Sequence, residues 1–307
     1  MTAVNRPITT GVQSFVLWGK ETTYKAVTTP TKHFGLETNF EPSLNNNMKS
    51  NRGFKGSASG GRKALKFTSG KAESTYNIEF EINDDEFLEL VMGDKTGSVY
   101  TESDFPPSFT LVNAMSNLAI NRNEVYTGCV VNSATIRGAE GEPVTCNMSI
   151  ANAGKSFGST LATNTALTDK APYTFSESIF ELPAATSINN IINDFEITIE
   201  NNWTLHYGNS REATAATPGA HSLRCRLSTK YVDDGLLNKA LGGSSIASDT
   251  PTQNASFKIV LTRPDDDTLT FDFALSPIDT YNLRGALNEA VEESVEIVSS
   301  SLTITKA

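Results

Sequence analysis

Residues 195–204, FEITIENNWT, restate residues 40–49, FEPSLNNNMK: Phe40, Glu41, Leu44, Asn46 and Asn47 stand where Phe195, Glu196, Ile199, Asn201 and Asn202 stand 155 positions later. An internal repeat constrains architecture strongly, because each unit is one supersecondary assembly written again. A longer match follows. Residues 74–93, STYNIEFEINDDEFLELVMG, lie over residues 223–242, LRCRLSTKYVDDGLLNKALG, at a constant shift of 149. FTLVNAM from Phe109 then lies over FKIVLTR from Phe257, a shift of 148.

Within the long match, Tyr76, Ile78, Phe80 and Ile82 alternate with polar residues, and Cys225, Leu227, Thr229 and Tyr231 hold the same parity. Period two predicts a strand with one buried face. The apolar set Phe87, Leu88, Val91 and Met92, matched by Leu236, Leu237, Ala240 and Leu241, predicts a short helix, and Gly93 and Gly242 predict its stop. The pairs Asp84/Asp85 and Asp233/Asp234 precede these helices, where a carboxylate can cap free N–H groups, and are expected to be N-caps. Each copy then closes with two more strand-like stretches: YTGCVVNSATIRG and PVTCNMSIA in the first, LTFDFALSPI and VEIVSSSLTIT in the second.

Each copy therefore reads as strand, long excursion, strand, helix and three further strands. The expected fold is mainly β: two tandem domains, residues 1–160 and 161–307, each with one short α-helix. The boundary falls in the polar stretch 152–172, NAGKSFGSTLATNTALTDKAP. A chain of 307 residues suits two domains. The shift of 155 against 149 makes the excursion of the first copy six residues longer than that of the second.

The formal net charge is −10, and most of the acidic excess lies beyond residue 165. Nucleic-acid binders present basic stripes to phosphates, so the composition disfavours a DNA-binding protein. No apolar run approaches a membrane span and the N-terminus has no signal-peptide pattern, so a soluble chain made in the cytosol is expected. Cys129, Cys146 and Cys225 have no metal-site spacing and read as buried thiols. His33, His206 and His221 form no metalloprotease pattern, and hydrolase and nucleotide-binding motifs are missing. No enzymatic activity, cofactor or metal is expected.

The opening ETTYKAVTTPTKHFGLETNFEPSLNNNMKSNRGFKG, the pair YTGCVVNSATIRG after the first helix, and the run INDFEITIENNW give the chain a likeness across most of its length. It resembles the tail tube proteins, or major tail proteins, of tailed bacterial and archaeal viruses. The resemblance implies β-sandwich or barrel domains that join side by side into a ring with a central β-barrel, the rings stacking into a tube through which the genome leaves the capsid. With two copies per chain, the implied partner is the chain itself, as a homotrimer of pseudo-sixfold symmetry or as a hexamer. Tail-tip, tape-measure and sheath proteins are the further partners implied. DNA would pass through the lumen without specific binding, no membrane would be involved, and the chain would belong to the virion tail, assembled in the host cytoplasm.

Two groups of residues follow as candidate contacts. The excursion 45–72 carries Lys49, Arg52, Lys55, Arg62, Lys63, Lys66 and Lys71 with no Asp or Glu. A long basic loop on an acidic chain suggests stacking onto an acidic face of the next ring, either Asp265, Asp266 and Asp267 or Glu289, Glu292, Glu293 and Glu296. The three aspartates also read as a solvated hairpin turn. Glu79 and Glu81, outward-pointing on the strand at 74–82, are candidates for the lumen wall, an assignment that Arg224 and Arg226 of the second copy weaken. The alternative functions are a β-sandwich adhesion or carbohydrate-binding module and another tube-fold tail component, a baseplate, sheath or terminator protein. The first needs exposed aromatic platforms, whereas Trp18 and Trp203 sit in strand-like apolar settings.

Overall fold

The structure is a computed structural model that describes residues 14–51, 66–116, 121–158, 162–183, 185–188, 191–246, 256–263, 267–285, 287 and 290–307. The chain runs β1 (Ser14–Lys20), β2 (Leu36–Asn45), β3 (Lys49–Asn51), β4 (Lys66–Thr68), β5 (Glu73–Glu81), α1 (Leu88–Met92), β6 (Gly93–Thr96), β7 (Val99–Glu102), β8 (Phe109–Ser116), β9 (Asn121–Ala139), β10 (Thr145–Asn152) and β11 (Gly154–Gly158). It continues as β12 (Thr174–Glu181), β13 (Ile191–Glu200), β14 (Thr204–His206), β15 (Ala215–Thr217), β16 (Ser222–Lys230), α2 (Gly235–Leu241), β17 (Phe257–Thr262), β18 (Thr268–Ala274), β19 (Ile278–Arg284), β20 (Glu292–Ser299) and β21 (Ser301–Lys306). Among the described residues the protein is mainly β with two short helices, and no sheet closes into a barrel.

The strand pairings of the first half recur in the second. β1 pairs β8, β8 pairs β9 and β9 pairs β11; likewise β12 pairs β17, β17 pairs β18 and β18 pairs β21. On the other side β9, β10, β5 and β2 follow one another, as do β19, β20, β16 and β13. The registers coincide as well. Phe40 faces Ile78 and Phe195 faces Leu227, and both strands slip register just before that point. β10 on β9 and β20 on β19 agree residue for residue at a shift of 147, with one residue skipped in each, Asn132 and Asp279.

One strand is continuous in one half and broken in the other. β9 is 19 residues long and pairs along its first part with β8 and β11 and along its second with β10 and β13, whereas its counterpart is divided into β18 and β19 by Leu275, Ser276 and Pro277. Proline cannot donate to a ladder, which explains the break. Sequence periodicity also overlooked β1 and β12 as counterparts, the β6–β7 hairpin and, inside the stretch read as a linker, β11.

The halves meet by direct pairing. β13 lies antiparallel to the second part of β9, giving a continuous path β19-β20-β16-β13-β9-β10-β5-β2. The smaller sheet is also shared: β21 pairs β7, so that β6 and β7 extend β12-β17-β18-β21. The main apolar core spans both halves. It runs from Trp18, Phe34, Phe80 and Phe87 to Phe175, Phe195, Phe257 and Phe273, all packed in one cluster. Gly138 makes the seam possible, because a Cβ there would lie 2.4 Å from the ring of Phe195 opposite.

Candidate assembly surface

The large sheet buries one face and leaves the other polar. On β5 the side chains of Tyr76, Ile78 and Phe80 go inward while Thr75, Asn77 and Glu79 are exposed, and the same alternation runs through β13 and β16. On the outer face Glu41, Glu73, Glu79, Glu81, Asp194, Glu196, Glu200, Glu292 and Glu296 outnumber Arg137, Arg224, Arg226, Lys230 and Arg284, so the face is net acidic. Arg137 donates to Glu196 at 2.8 Å and Arg224 to Glu296 at 2.6 Å. Both pairs are largely exposed and contribute little stability each; their effect is to fix register and mute attraction for phosphate. Glu79 and Glu81 lie on this face, together with Arg224 and Arg226.

The two ends of the path are single-sided. Among the described residues β2 pairs only with β5 and β19 only with β20, and both present exposed residues. Apolar side chains are exposed there at positions buried inside the chain: Leu44 is 51% and Leu283 54% exposed, while their counterparts Ile199 and Ile136 are fully buried. Unpaired strands of this kind are templates for another chain.

From the same end of the sheet rise two hairpins. β2 leads into β3 and β4, and β13 leads into β14 and β15. At each neck the second asparagine of the repeated pair adopts a left-handed conformation, φ 43° at Asn47 and φ 49° at Asn202, which asparagine tolerates better than most residues. The two hairpins then diverge. The second folds back on the first half: Arg211 donates to Gly70 O at 3.2 Å and to Asn46 at 3.1 Å, Lys25 donates to Glu212 at 3.1 Å, and Tyr207 and Ala213 pack with Ala153. The first carries exposed Lys49 and Lys66 on β3 and β4, with Met48 and Phe67 also exposed. Arg52, Lys55, Arg62 and Lys63 lie outside the described residues.

The acidic residues singled out in the sequence are placed differently from expectation. α1 has Phe87 at its N-cap position and no side-chain cap. Asp84 accepts hydrogen bonds from Thr168 at 2.8 Å and from the Asp85 backbone N–H at 2.7 Å. Asp85 is buried, accepting from Tyr100 at 2.6 Å and from Lys306, which joins the first half to the last strand. Burial alone would raise the Asp85 carboxyl, but the hydrogen bonds from Lys306 and Tyr100 prevail and hold it below its usual value. In the second half Asp234 occupies the N-cap position but its side chain makes no cap bond and accepts from Tyr231 at 2.6 Å, whereas Asp233 accepts from the N–H of Gly235, the first residue of α2, at 2.7 Å. Before α1 distant partners invisible in a local window, Thr168, Tyr100 and Lys306, claim the carboxylates, whereas before α2 the partners Tyr231 and Gly235 are local.

Asp267 does stand in the connection between the antiparallel strands β17 and β18, but its charge is paired rather than solvated. It accepts from Lys170 and from Arg263, whose side chain is fully buried. Arg263 in turn donates to Asn83 O at 2.7 Å and stands 4.7 Å from the ring centre of Tyr173. Hydrogen bonds from Lys170 and Arg263 lower the Asp267 carboxyl to about 2. Asp265, Asp266 and Glu289 lie outside the described residues; Glu292 and Glu296 are on the outer face, and Glu293 points inward, accepting from Thr229 at 3.0 Å. All three cysteines are buried and free, and among the described residues no cluster of His, Cys, Asp and Glu is arranged to hold a metal ion. No helix among the described residues is long and apolar enough to cross a membrane.

Fold and surface together define a duplicated, mainly β chain whose polar sheet face ends in two matching open edges. The family model described as phage tail tube protein matches residues 11–305, and the chain belongs to that family. It is a structural component of the virion tail, and membership carries self-assembly into a tube with other tail proteins. A search among curated proteins gives no match.

Proposed function

We propose that this chain closes into rings that stack into the hollow conduit through which the viral genome leaves the capsid, each chain supplying two units, residues 1–160 and 161–307, of a pseudo-sixfold ring. The observation that carries the reading is the wiring of the large sheet. Its free edges, β2 and β19, are the counterparts of β13 and β9, which are already joined inside the chain. Three chains, each contributing the eight strands of the path, would place twenty-four strands around one axis. At a strand spacing of about 4.8 Å and a tilt of about 35–45°, such a barrel is about 45–50 Å across its backbone, ample for a double helix.

The polar outer face of the sheet then becomes the lumen wall, and Glu79, Glu81, Asp194 and Glu200 line it. A net acidic wall repels the phosphate backbone and lets it slide. The basic excursion 45–72 reaches the neighbouring ring, a head-to-tail contact that propagates into an open filament. Tail-tip, tape-measure and sheath proteins bound the tube at its end, in its lumen and on its outside.

Negative-stain electron microscopy of the purified protein tests this reading. Hollow tubes of uniform width are expected; a stable monodisperse monomer at high concentration contradicts it.

A further inference from the structure

We infer that neighbouring subunits join through β2 of one and β19 of the next, antiparallel and in the register of the internal β13·β9 seam, with Glu41 of one subunit ion-paired to Arg284 of the other and Phe40 set opposite Gly285. This rests on the ring reading above and adds the residues that close it.

Inside the chain, Glu196 faces Arg137 and Phe195 faces Gly138. The residue 155 positions before Phe195 is Phe40, followed by Glu41; 147 positions after Arg137 comes Arg284, followed by Gly285. These shifts are fixed by the coincident registers of β2 and β13 on their partners and of β9 and β19 on theirs. Of the matched FE segments at 40–41 and 195–196 and the matched RG segments at 137–138 and 284–285, one of each is used internally. Glu41 and Arg284 are exposed and neither has an ion-pair partner among the described residues. The described atom nearest to a Cβ built on Gly285 is Val291 Cγ2 at 3.8 Å, whereas the same atom at Gly138 would collide with Phe195.

Two further differences between the seam and the free edges agree. Around α1, which flanks the seam, Phe87, Leu88, Leu90, Val91 and Met92 are buried, whereas α2 buries only Leu236. At the seam the carbonyl of Asn132 accepts from Asn201 N at 2.8 Å and its side chain accepts from Trp203 N at 2.9 Å. The corresponding acceptor on the free edge is Asp279, exposed, and the corresponding donors are the backbone N–H groups of Asn46 and Met48. Pro42, standing where β13 has Ile197, lacks an N–H, so the junction between subunits has at most one ladder bond fewer than the seam if that group points outward.

Disulfide trapping in the full chain tests the register. Thr198 faces Thr135 at the seam, and their counterparts are Ser43 and Asn282. The variant Ser43→Cys/Asn282→Cys, oxidised after assembly, is expected to give covalent species on a non-reducing gel that end at a closed trimer; the native cysteines are buried and act as a silent background. Hollow tubes without the cross-link overturn the junction while leaving the tube reading intact, and absence of both tubes and cross-link overturns both. A second arm probes the ion pair. Glu41→Arg alone sets like charges opposite each other and is expected to raise the assembly threshold roughly fivefold. Adding Arg284→Glu is expected to restore it, and a double variant no better than the single one removes the pair from the account.

Discussion

Asn202 donates its side-chain amide to the carbonyl oxygen of Ala220 at 2.8 Å, and Asn47 does the same to Lys71 at 3.1 Å. The repeated asparagine pair is thereby explained: in each half it closes the neck of a hairpin. Gly70 N donates to Asn46 O at 3.2 Å and Gly219 N to Asn201 O at 3.0 Å, so each neck is pinched from both sides. A Cβ on Gly70 or Gly219 would lie 2.5 Å from the backbone oxygen of Asn47 or Asn202.

Gly219→Ala is therefore expected to destabilise the protein by about 1–3 kcal/mol, the usual cost of forcing an atom into a packed site. Its hairpin is folded onto the first half, so the loss is global and thermal unfolding reads it. Gly70→Ala strains a neck whose hairpin is exposed; limited proteolysis within residues 45–72 is expected to accelerate with little change in melting temperature.

Arg263 is a buried cation held by Asp267, Asn83 O and the Tyr173 ring. Arg263→Ala leaves the buried carbonyl of Asn83 without this donor and Asp267 with Lys170 alone, a loss of about 1–3 kcal/mol that denaturant unfolding measures.

The acid response follows from Asp267, whose folded-state value is lowered to about 2 from an ordinary 3.8 by Lys170 and Arg263. A depressed carboxyl stabilises the fold at pH values above its unfolded-state value, and that contribution disappears as the pH falls from about 4 to about 2. Asp267→Asn is expected to lower the melting temperature at pH 7 and to flatten its decline over that interval, measured by scanning calorimetry.

Asp85 holds Tyr100 and Lys306 together across the two halves. Asp85→Asn removes the countercharge of Lys306 and is expected to cost about 1–3 kcal/mol, read as a lower melting temperature. A variant as stable as the natural chain would show that this cross-half link carries no weight.

Deleting residues 50–66 removes most of the basic excursion and is expected to leave rings that do not stack, seen by electron microscopy as short annuli. In the intact protein, rising salt should shorten tubes, because contacts between exposed charges are screened beyond a Debye length of about 8–10 Å at 0.1–0.15 M.

Much of this architecture was legible because the strands flanking each neck keep local signatures: alternating Tyr76, Ile78 and Phe80, the FE dipeptides, the asparagine pairs. β1 and β12 share a partner topology but no sequence pattern, since SFVLWGK and TFSESIFE bury their side chains against different neighbours. Asp84 and Asp85 carry a local signal for a cap that Thr168, Tyr100 and Lys306 from distant segments override. The seam itself was out of reach, because a pairing of Arg137 with Glu196 depends on strand order, and periodicity reports only which residues share a face. Its signal lies in the sequence as Arg284–Gly285 matching Arg137–Gly138, a match that strand register alone separates from the further RG at Arg52–Gly53.

Helical reconstruction of the assembled tube by electron cryomicroscopy tests the central claim most directly. The account predicts three chains in each ring, one continuous barrel in which β2 of every subunit abuts β19 of the next, and a lumen lined by the face that carries Glu79 and Glu196. A ring of six chains, or one in which those edges face away from their neighbours, would contradict it.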